Sequence, residues 1–383
     1  MLKPKQYPTM TKDKLKFFTF AALLAIAVIS VVLWSQITPV DLSRIDPVTN
    51  KPISLMNLGL TAAIVCAIAV AVAVGVDQLL SNLISVGSSN LVSSAIFGLI
   101  VALSYSLGVP ALAQDSDVLP KALLSAPQCF VYVAVISFIG QVIFVKFQGL
   151  AKRNYVNPVA AAKLLVLLPF TKVVFLAKDH YATFSDGGLS APRLAGPIGS
   201  TVIGENGLVS FTSYLQSSYG SPLAKNYTDL NQLLILQKFH GWIGGASSIA
   251  VIIIGIALFV LAREYVKWKI TAAYFVTIII TSMLLSAAYG DGDLTTRLLF
   301  EVFIGSSIFL AFFMATDPSS TPLTQTGQLF FGIGLGTFTV LIQTYMNFFG
   351  GSLLALVVMN LTTPALDKIE KRIHRQNPID ATM

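Results

Sequence analysis

The sequence predicts an all-α polytopic membrane protein, and three observations lead to this fold class. Hydrophobic residues make up 55% of the 383 positions and charged residues only 11%, whereas soluble domains carry about 25% charged residues. The apolar residues are collected in runs of about 20, which is the length of a helix that crosses the hydrocarbon core. The runs are continuous rather than alternating, which is not the pattern of membrane β-barrel strands.

About ten apolar runs are long enough to be predicted as spans. In chain order, their approximate ranges are 17–35, 57–75, 88–107, 124–146, 158–177, 243–262, 270–289, 298–315, 326–343 and 348–366. The first run is too long for the core of a signal peptide, so we interpret it as a retained span. We expect the spans to form one transmembrane domain, residues 17–366, in two pseudo-repeated halves with broken helices.

Basic residues at the two ends of the chain carry much of the net charge of +7. They are Lys3, Lys5, Lys12, Lys14, Lys16, Lys368, Lys371, Arg372 and Arg375. Positive charge next to spans marks the cytoplasmic side, and an even number of spans places both ends there. We therefore expect a multi-pass protein of the inner (plasma) membrane, with cytoplasmic tails at 1–16 and 367–383 and an outer loop at about 178–242. Nothing in this charge distribution indicates nucleic-acid binding.

The sequence contains no pattern that predicts a catalytic side chain or a metal site. The three histidines, His180, His240 and His374, are scattered without metal-ligand spacing. Cys66 and Cys129 lie inside apolar runs, where we expect inert core residues.

A first polar corner follows the fourth span, where Asn157 and Pro158 precede an apolar run. One interpretation is a broken helix whose free N-terminal amides face an anionic group such as a phosphate. The other is an ordinary helix start, with asparagine as N-cap and proline at the first helical position. Lys163 and Lys172 on the following run favour the functional interpretation because ionisable groups at membrane depth are costly, although either lysine can also extend to the interface.

A second polar corner follows the eighth span and begins with Thr316, Asp317 and Pro318. Asp317 either hydrogen-bonds the backbone of a turn or holds a hydroxyl-rich ligand. Asn360, in the apolar last span, either forms an interhelical hydrogen bond or contacts a ligand. Paired interruptions in two halves of a chain are typical of transporter folds with inverted repeats, so we expect the two corners to meet between the halves.

Four segments of the chain resemble the NqrB/RnfD family. They are FFMATDPSSTPLTQTGQLFFGIGLGTFTVLIQ from Phe312, GGSLLALVVMNLTTPALD from Gly350, NYVNPVAAAKL from Asn154 and GWIGGASSIAVIIIG from Gly241. This family comprises the large membrane subunits of the sodium-pumping NADH:quinone reductase and of the Rnf ferredoxin:NAD oxidoreductase. The resemblance covers about residues 140–370, and the N-terminal third matches mainly in its pattern of spans.

The resemblance implies an integral membrane flavoprotein. Family members carry FMN bonded through its phosphate to a threonine on the outer side, and some hold riboflavin as well. Electrons pass through these flavins while Na⁺ or H⁺ crosses the membrane. The implied partners are other Rnf/Nqr-type membrane subunits and flavin or iron–sulfur subunits.

The chain departs from the family at the FMN attachment motif, which reads roughly Asp-x-x-Ser/Thr-Gly-Ala-Thr. The best match is DGGLSAP, from Asp186 to Pro192. Pro192 takes the place of the acceptor threonine and has no hydroxyl with which to form a phosphoester. Either FMN binds without a covalent bond, or Ser190, Ser200 or Thr201 accepts it, or this flavin is absent. The departure indicates a divergent member.

We therefore expect an RnfD/NqrB-like subunit that passes electrons through bound FMN, and riboflavin as a second flavin, coupled to Na⁺ or H⁺ transport. The candidate flavin-binding residues lie at the two corners, in the outer loop and in the fifth and last spans: Asn157, Pro158, Lys172, Asp186, Ser190, Arg193, Thr316, Asp317 and Asn360. Lys172 and Arg193 are the candidate cations for the phosphate. The alternative is a flavin-free transporter or channel for a small solute or ion on the same scaffold, and a third option is a purely structural subunit.

Overall fold

The computed structural model describes seventeen stretches of the chain, and every structural statement below refers to them. They are residues 12–36, 40–45, 47, 52–54, 56–84, 90–105, 107, 128–147, 155–167, 184–185, 188–189, 235–236, 242–262, 266–289, 294–303, 307–346 and 351–376.

Each described helix overlaps one of the predicted spans. In the first half they are α1 (Lys12–Trp34), α2 (Leu58–Ile84), α3 (Leu91–Leu103), α4 (Gln128–Ile139), which continues as the π-helix π1 (Gly140–Phe147), and α5 (Pro158–Leu167). In the second half they are α6 (Ser248–Leu261), α7 (Trp268–Tyr289), α8 (Leu294–Phe303), a short helix Ser307–Phe309 that continues as the π-helix π2 (Leu310–Met314), α9 (Gln325–Met346) and α10 (Gly351–Gln376).

Two short antiparallel strand pairs lie in the connections. β1 (Val40–Ile45) pairs with β2 (Pro52–Ser54), and β3 (Phe184–Ser185) pairs with β4 (Gly188–Leu189). Neither pair joins a larger sheet in the described part of the chain. The helices therefore form the body of the molecule.

Length, composition and surface indicate that several of the helices cross a membrane. Five of the described helices are long and apolar enough to cross a membrane, within α1, α2, α4 with π1, α7 and α9. On α1, Leu23 and Ile26 are buried, whereas Val28 and Val32 on the opposite side are each more than half exposed. An apolar outer surface of this extent requires lipid as its solvent. The prediction of an all-α polytopic membrane protein is confirmed.

The bounds of some helices differ from the predicted spans. α2 continues to Ile84 instead of ending near residue 75, which places Asp77 inside the helix. α3 and α6 have only 13 and 14 residues, so each is about 20 Å long and shorter than the hydrocarbon core of about 30 Å. Polar backbone at the ends of these two half-length helices must therefore be satisfied inside the bundle.

The end of α3 meets the chain that leads into α6. A 3₁₀ turn (Ile243–Gly245) precedes α6, and the N–H of Ile243 donates to the carbonyl of Tyr105 at 2.9 Å. A Cβ on Gly244 would lie 2.8 Å from Leu103 Cβ and 3.1 Å from the Leu103 carbonyl oxygen. Glycine is required here because any side chain would push the two backbones apart.

Candidate functional site

The two polar corners predicted from the sequence touch each other. The side-chain amide of Asn157, at the first corner, donates to the carbonyl of Met314, two residues before the second corner begins, at 3.2 Å. Asn157 is 3% exposed and Met314 is fully buried. The corners therefore meet inside the protein, as the interruptions in the two halves of the sequence suggested.

Asn360 on α10 links both corners. Its side-chain oxygen accepts from the N–H of Asn157 at 2.8 Å, and its side-chain N–H donates to the carbonyl of Ser320 at 3.1 Å. Thr363, one turn further along α10, donates to the same Ser320 carbonyl at 3.2 Å. Asn360 is fully buried, and it makes the interhelical hydrogen bonds that one of the two interpretations expected.

Asn157 is the N-cap of α5. Its side-chain oxygen accepts from the N–H groups of Val159 and Ala160, both at 3.1 Å. Its carbonyl accepts from the N–H of Ala161 at 3.0 Å. The chain itself thus satisfies the first amides of the helix, which supports the capping interpretation.

Asp317 organises the second corner as a turn. Its carboxylate accepts from the N–H of Ser319 at 3.0 Å and from the hydroxyls of Ser319 and Ser320 at 2.9 and 3.1 Å. Its carbonyl accepts from the hydroxyl of Thr321 at 2.5 Å. These contacts agree with the turn interpretation of Asp317, and Thr316 similarly donates to the carbonyl of Phe312 at 2.7 Å.

Neighbouring helices hold the second corner from outside. The ammonium of Lys267, just before α7, donates to the carbonyl and hydroxyl of Thr321 at 3.0 and 2.7 Å. The carboxylate of Asp367 on α10 accepts from the N–H of Leu323 at 2.9 Å. Both anchors connect the corner to helices that are distant in sequence, so its conformation is set by the tertiary fold.

A π-helix precedes each corner, which extends the similarity between the fourth and eighth spans. π1 ends at Phe147 before the corner at Asn157, and π2 ends at Met314 before the corner at Asp317. The hydroxyl of Thr271, on α7, donates to the carbonyl of Ala311 in π2 at 2.7 Å. π-helices are rare and are found frequently at functional sites.

A cavity of about 510 Å³ lies against both corners. Asn157, Pro158, Thr316 and Asp317 all line it. The rest of its lining is largely apolar and includes Ile96, Phe97, Ile100, Leu258, Phe312 and Phe313. The cavity reaches the surface at Pro318 and Ser319, which are exposed, so a ligand has a route in from one face of the bundle.

An ion pair that sequence reasoning missed lies in the wall of the cavity. Lys146 Nζ is 2.5 Å from Asp77 Oδ1, with side-chain exposures of 14% and 5%. The N–H of Asn90 donates to Asp77 Oδ2 at 3.2 Å, and Lys146 also donates to the hydroxyl of Ser81 at 2.9 Å. The carboxylate is therefore held from π1, which continues α4, and from the start of α3.

Gln141 completes this cluster. It is 1% exposed and lines the cavity, and its side-chain N–H groups donate to Asp77 Oδ1 at 3.3 Å and to Ser94 Oγ at 3.4 Å. Its side-chain oxygen has no hydrogen-bond partner among the described residues. A buried acceptor without a partner costs free energy, and at a cavity wall it marks a position where a bound donor or cation would be stabilised.

The signal for Asp77 was present in the sequence. Asp77 is the one acidic residue in the 27 residues of α2, and an ionisable group inside an apolar helix marks a functional site by default. It was missed because the predicted span ended near residue 75. Its partner Lys146 lies near the end of π1, within the predicted fourth span.

Of the remaining candidate residues, Asn360 is the one that the structure describes. Lys172, Asp186, Ser190 and Arg193 lie outside the described residues, and Asn360 supports the wall through Asn157 rather than lining the cavity. Lys16 and Lys146 line the cavity, which places it on the cytoplasmic side of the predicted topology. The same topology predicts that the loop with Asp186 to Arg193 lies on the outer side of the membrane.

The sequence is similar to subunits of ion-translocating complexes. It is 27% identical over 242 residues to a subunit of the Na(+)-translocating ferredoxin:NAD(+) oxidoreductase complex of Acetobacterium woodii, covering 63% of this chain and 65% of that protein. It is 29% identical over 247 residues to a subunit of the proton-translocating ferredoxin:NAD(+) oxidoreductase complex of Clostridium ljungdahlii, covering 63% and 67%. The match thus spans just under two thirds of the Acetobacterium protein.

A second type of relative is a subunit of the Na(+)-translocating NADH-quinone reductase of Chromohalobacter salexigens. It is 28% identical over 247 residues, which cover 63% of this chain and 54% of that protein. A family model described as "NQR2, RnfD, RnfE family" matches residues 118–375. The matched residues include both corners and α10 up to Arg375, with Asn360, and the chain belongs to the NQR2, RnfD, RnfE family.

Proposed function

We propose that this chain is a membrane flavoprotein subunit of an Rnf/Nqr-type complex, in which electron transfer is coupled to Na⁺ or H⁺ transport. The observation that carries the proposal is the cavity of about 510 Å³ that both family-typical corners line. Relatives of this chain are named as subunits of ion-translocating oxidoreductases. Its partners are the other membrane, flavin and iron–sulfur subunits of such a complex, in a plasma membrane with both termini cytoplasmic.

The cavity fits a flavin in size and in chemistry. Ligand sites commonly enclose about 300–1,000 Å³ and combine apolar walls with a few polar groups. Phe312 and Phe313 offer apolar surface to an isoalloxazine ring, and each is already packed against another aromatic ring, Phe259 at 5.1 Å and Phe309 at 5.2 Å between centroids. A wall held in this way loses little side-chain entropy when a ring binds.

The polar groups of the cavity suit a neutral ribityl chain better than a phosphate. The amides at the start of α5 are already capped by Asn157, and Lys146 is paired with Asp77. Lys16 is the second lysine that lines the cavity. We therefore propose that riboflavin occupies this cavity, while FMN binds without a covalent bond in the outer loop, where Pro192 cannot form the phosphoester.

The residues of the chain have separate tasks in this proposal. Thr316, Asp317 and Ser319 face the cavity and hydrogen-bond the hydroxyls of the ribityl chain, whereas Phe312 and Phe313 keep water from the ring. Asn157 and Asn360 hold the corner in place. A flavin bound there supplies one- and two-electron redox chemistry, which no side chain of the cavity offers.

The Asp77 cluster is the group that we propose for ion coupling. Carboxylate, amide and hydroxyl oxygens are hard ligands that suit Na⁺, and Asp77, Gln141 and Ser94 lie together at the cavity wall. When Lys146 moves away, Asp77 is free to accept a proton or a Na⁺ ion together with the unpartnered oxygen of Gln141.

The visible spectrum of the purified complex tests the flavin proposal. We expect flavin absorbance in the native protein, and after acid precipitation we expect the colour in the supernatant, because neither flavin is covalently bound. Flavin that stays with the precipitated chain would contradict the role assigned to Pro192. A complex with its partner subunits present and no flavin in either fraction would overturn the proposal.

The second candidate function is a flavin-free transporter or channel. The observation that favours it is the pair of half-length helices, α3 and α6, whose ends meet inside the bundle, as broken helices do in secondary transporters. Proteoliposomes that contain this chain alone separate the two functions. Uptake of a solute or ion without any electron donor supports the transporter, and tight liposomes support the redox subunit.

A further inference from the structure

Lys163 on α5 is a charged side chain buried inside the bundle, away from the cavity lining. It is 1% exposed, and its ammonium donates a hydrogen bond to the carbonyl of Ser104. The same nitrogen lies 4.2 Å from the ring centroid of Trp242. Ser104 and Trp242 are themselves fully buried, so the ammonium group lies in a buried environment formed by three separate elements.

The carbonyl that Lys163 contacts is at the C-terminal end of the half-length helix α3. The helix ends at Leu103, and the last carbonyls of a helix carry a partial negative charge. The neighbouring Tyr105 carbonyl already accepts from Ile243. The carbonyl of Ser104 therefore carries a partial negative charge at a buried position, and the ammonium of Lys163 balances this charge.

This arrangement has the chemistry of a monovalent-cation site. Backbone carbonyls and half-helix C-terminal ends coordinate Na⁺ in transporters built from broken helices, and the face of a tryptophan ring is the best aromatic partner for a cation. In this protein both kinds of ligand converge on a cation that belongs to the chain itself.

We propose that the C-terminal end of α3, formed by the Ser104 carbonyl and the Trp242 ring, is a monovalent-cation site that the ammonium of Lys163 fills. The lysine satisfies the helix end and prevents a mobile cation from entering the junction between α3 and α6. This role is independent of flavin binding and of Asp77. It predicts that the site binds a small cation once the ammonium is removed.

Salt-dependent thermal unfolding of the purified full-length protein tests the proposal. The melting temperature is measured in NaCl, KCl and choline chloride at equal ionic strength, because choline is too large for the site. For Lys163→Ala, we expect a lower melting temperature than for the wild type in choline. Na⁺ or K⁺ should then raise it by about 2–4 °C more than they raise that of the wild type.

Two further variants serve as controls. Lys163→Arg keeps a positive charge at Ser104 and should respond to the three salts as the wild type does. Lys269→Ala removes a lysine that donates to Gln325 in an exposed pair, and it should also respond as the wild type does. An Ala variant with no extra response to Na⁺ or K⁺ overturns the proposal, and so does an equal extra response from Lys269→Ala.

If Lys163→Ala does not fold, Lys163→Gln takes its place. The glutamine amide is uncharged, and its oxygen can join the Ser104 carbonyl as a ligand. We expect the same extra stabilisation by Na⁺ or K⁺ relative to choline. A glutamine variant as stable as the wild type and equally insensitive to the salts would show that the charge of Lys163 is not needed, which overturns the proposal.

Discussion

The side-chain oxygen of Asn360 accepts a hydrogen bond from the backbone N–H of Asn157 at 2.8 Å, across 203 residues of sequence. This bond joins the last helix to the first corner. The side-chain N–H of Asn360 donates to the carbonyl of Ser320 at the second corner. A single buried side chain thus keeps together the two elements that line the cavity.

Replacement of Asn360 by leucine should destabilise the protein by about 1–3 kcal/mol, because the buried N–H of Asn157 loses its acceptor. The cavity wall should loosen as well, so the flavin content of the purified complex should fall. Thermal unfolding and the flavin-to-protein ratio measure the two effects. Thr362→Val is the matched control, since Thr362 donates to Met359 on its own helix, and a loss as large in this control would contradict the role of Asn360.

Two substitutions of Asn157 separate its two roles. Serine is a good N-cap but is too short to reach Met314, whereas alanine can neither cap α5 nor reach Met314. Asn157→Ala should therefore be less stable than Asn157→Ser by the free energy that an N-cap side chain contributes, about 0.5–2 kcal/mol. Thermal unfolding of both variants checks this order, and equal stabilities would show that the cap contributes nothing.

Removal of Lys146 alone should lower the free energy of unfolding more than removal of both Asp77 and Lys146. Lys146→Met leaves a carboxylate with 5% exposure without its cation, and breaking a buried pair in this way costs about 3–5 kcal/mol. The double variant Asp77→Asn with Lys146→Met leaves no charge and should recover much of that loss. Unfolding of the single and double variants measures the difference, and a double variant no more stable than Lys146→Met would contradict this explanation.

The single variant Asp77→Asn tests the role in ion coupling. It should keep the flavin, because Asp77 is proposed to hold the ion and not the ring. Ion transport driven by electron transfer should fall strongly in proteoliposomes that contain the full complex. Unchanged transport in Asp77→Asn would assign the ion to another site.

A bulky side chain directed at the cavity should exclude the flavin. Ile100 lines the cavity, and Ile100→Trp should lower the flavin-to-protein ratio while the protein remains folded, because the added volume enters existing space. Ile253→Trp on the lipid-facing side, where Ile253 is 62% exposed, is the matched control. Flavin retained in full by Ile100→Trp would place the flavin elsewhere.

Much of the fold could be predicted from local features of the sequence. The spans follow from runs of apolar residues, since the length and continuity of such a run depend only on neighbours along the chain. The corners followed from Pro158 and Pro318, because proline restricts the backbone locally. The family could be recognised because the residues around Asp317 and Asn360 form distinctive strings.

Other features depended on how the helices pack. The sequence left two interpretations open for Asn157, Asp317 and Asn360, and their hydrogen bonds could be assigned only once the partners were known. The pairing of Asp77 with Lys146 was missed because the two residues lie 69 positions apart along the chain and on different helices. The sequence did not predict that α3 is a short helix, because its apolar run continues past the residue at which the helix ends.

The sequence by itself determined that this is a polytopic helical membrane protein of the NQR2, RnfD, RnfE family, since hydrophobic length and short motifs are local properties. Only the tertiary structure decided which polar groups share an environment: Asn360 with both corners, Asp77 with Lys146 and Gln141, and Lys163 with the end of α3. The physical reason is that a buried polar group must find its partner across helices, and the chain distance between partners carries no information about that pairing.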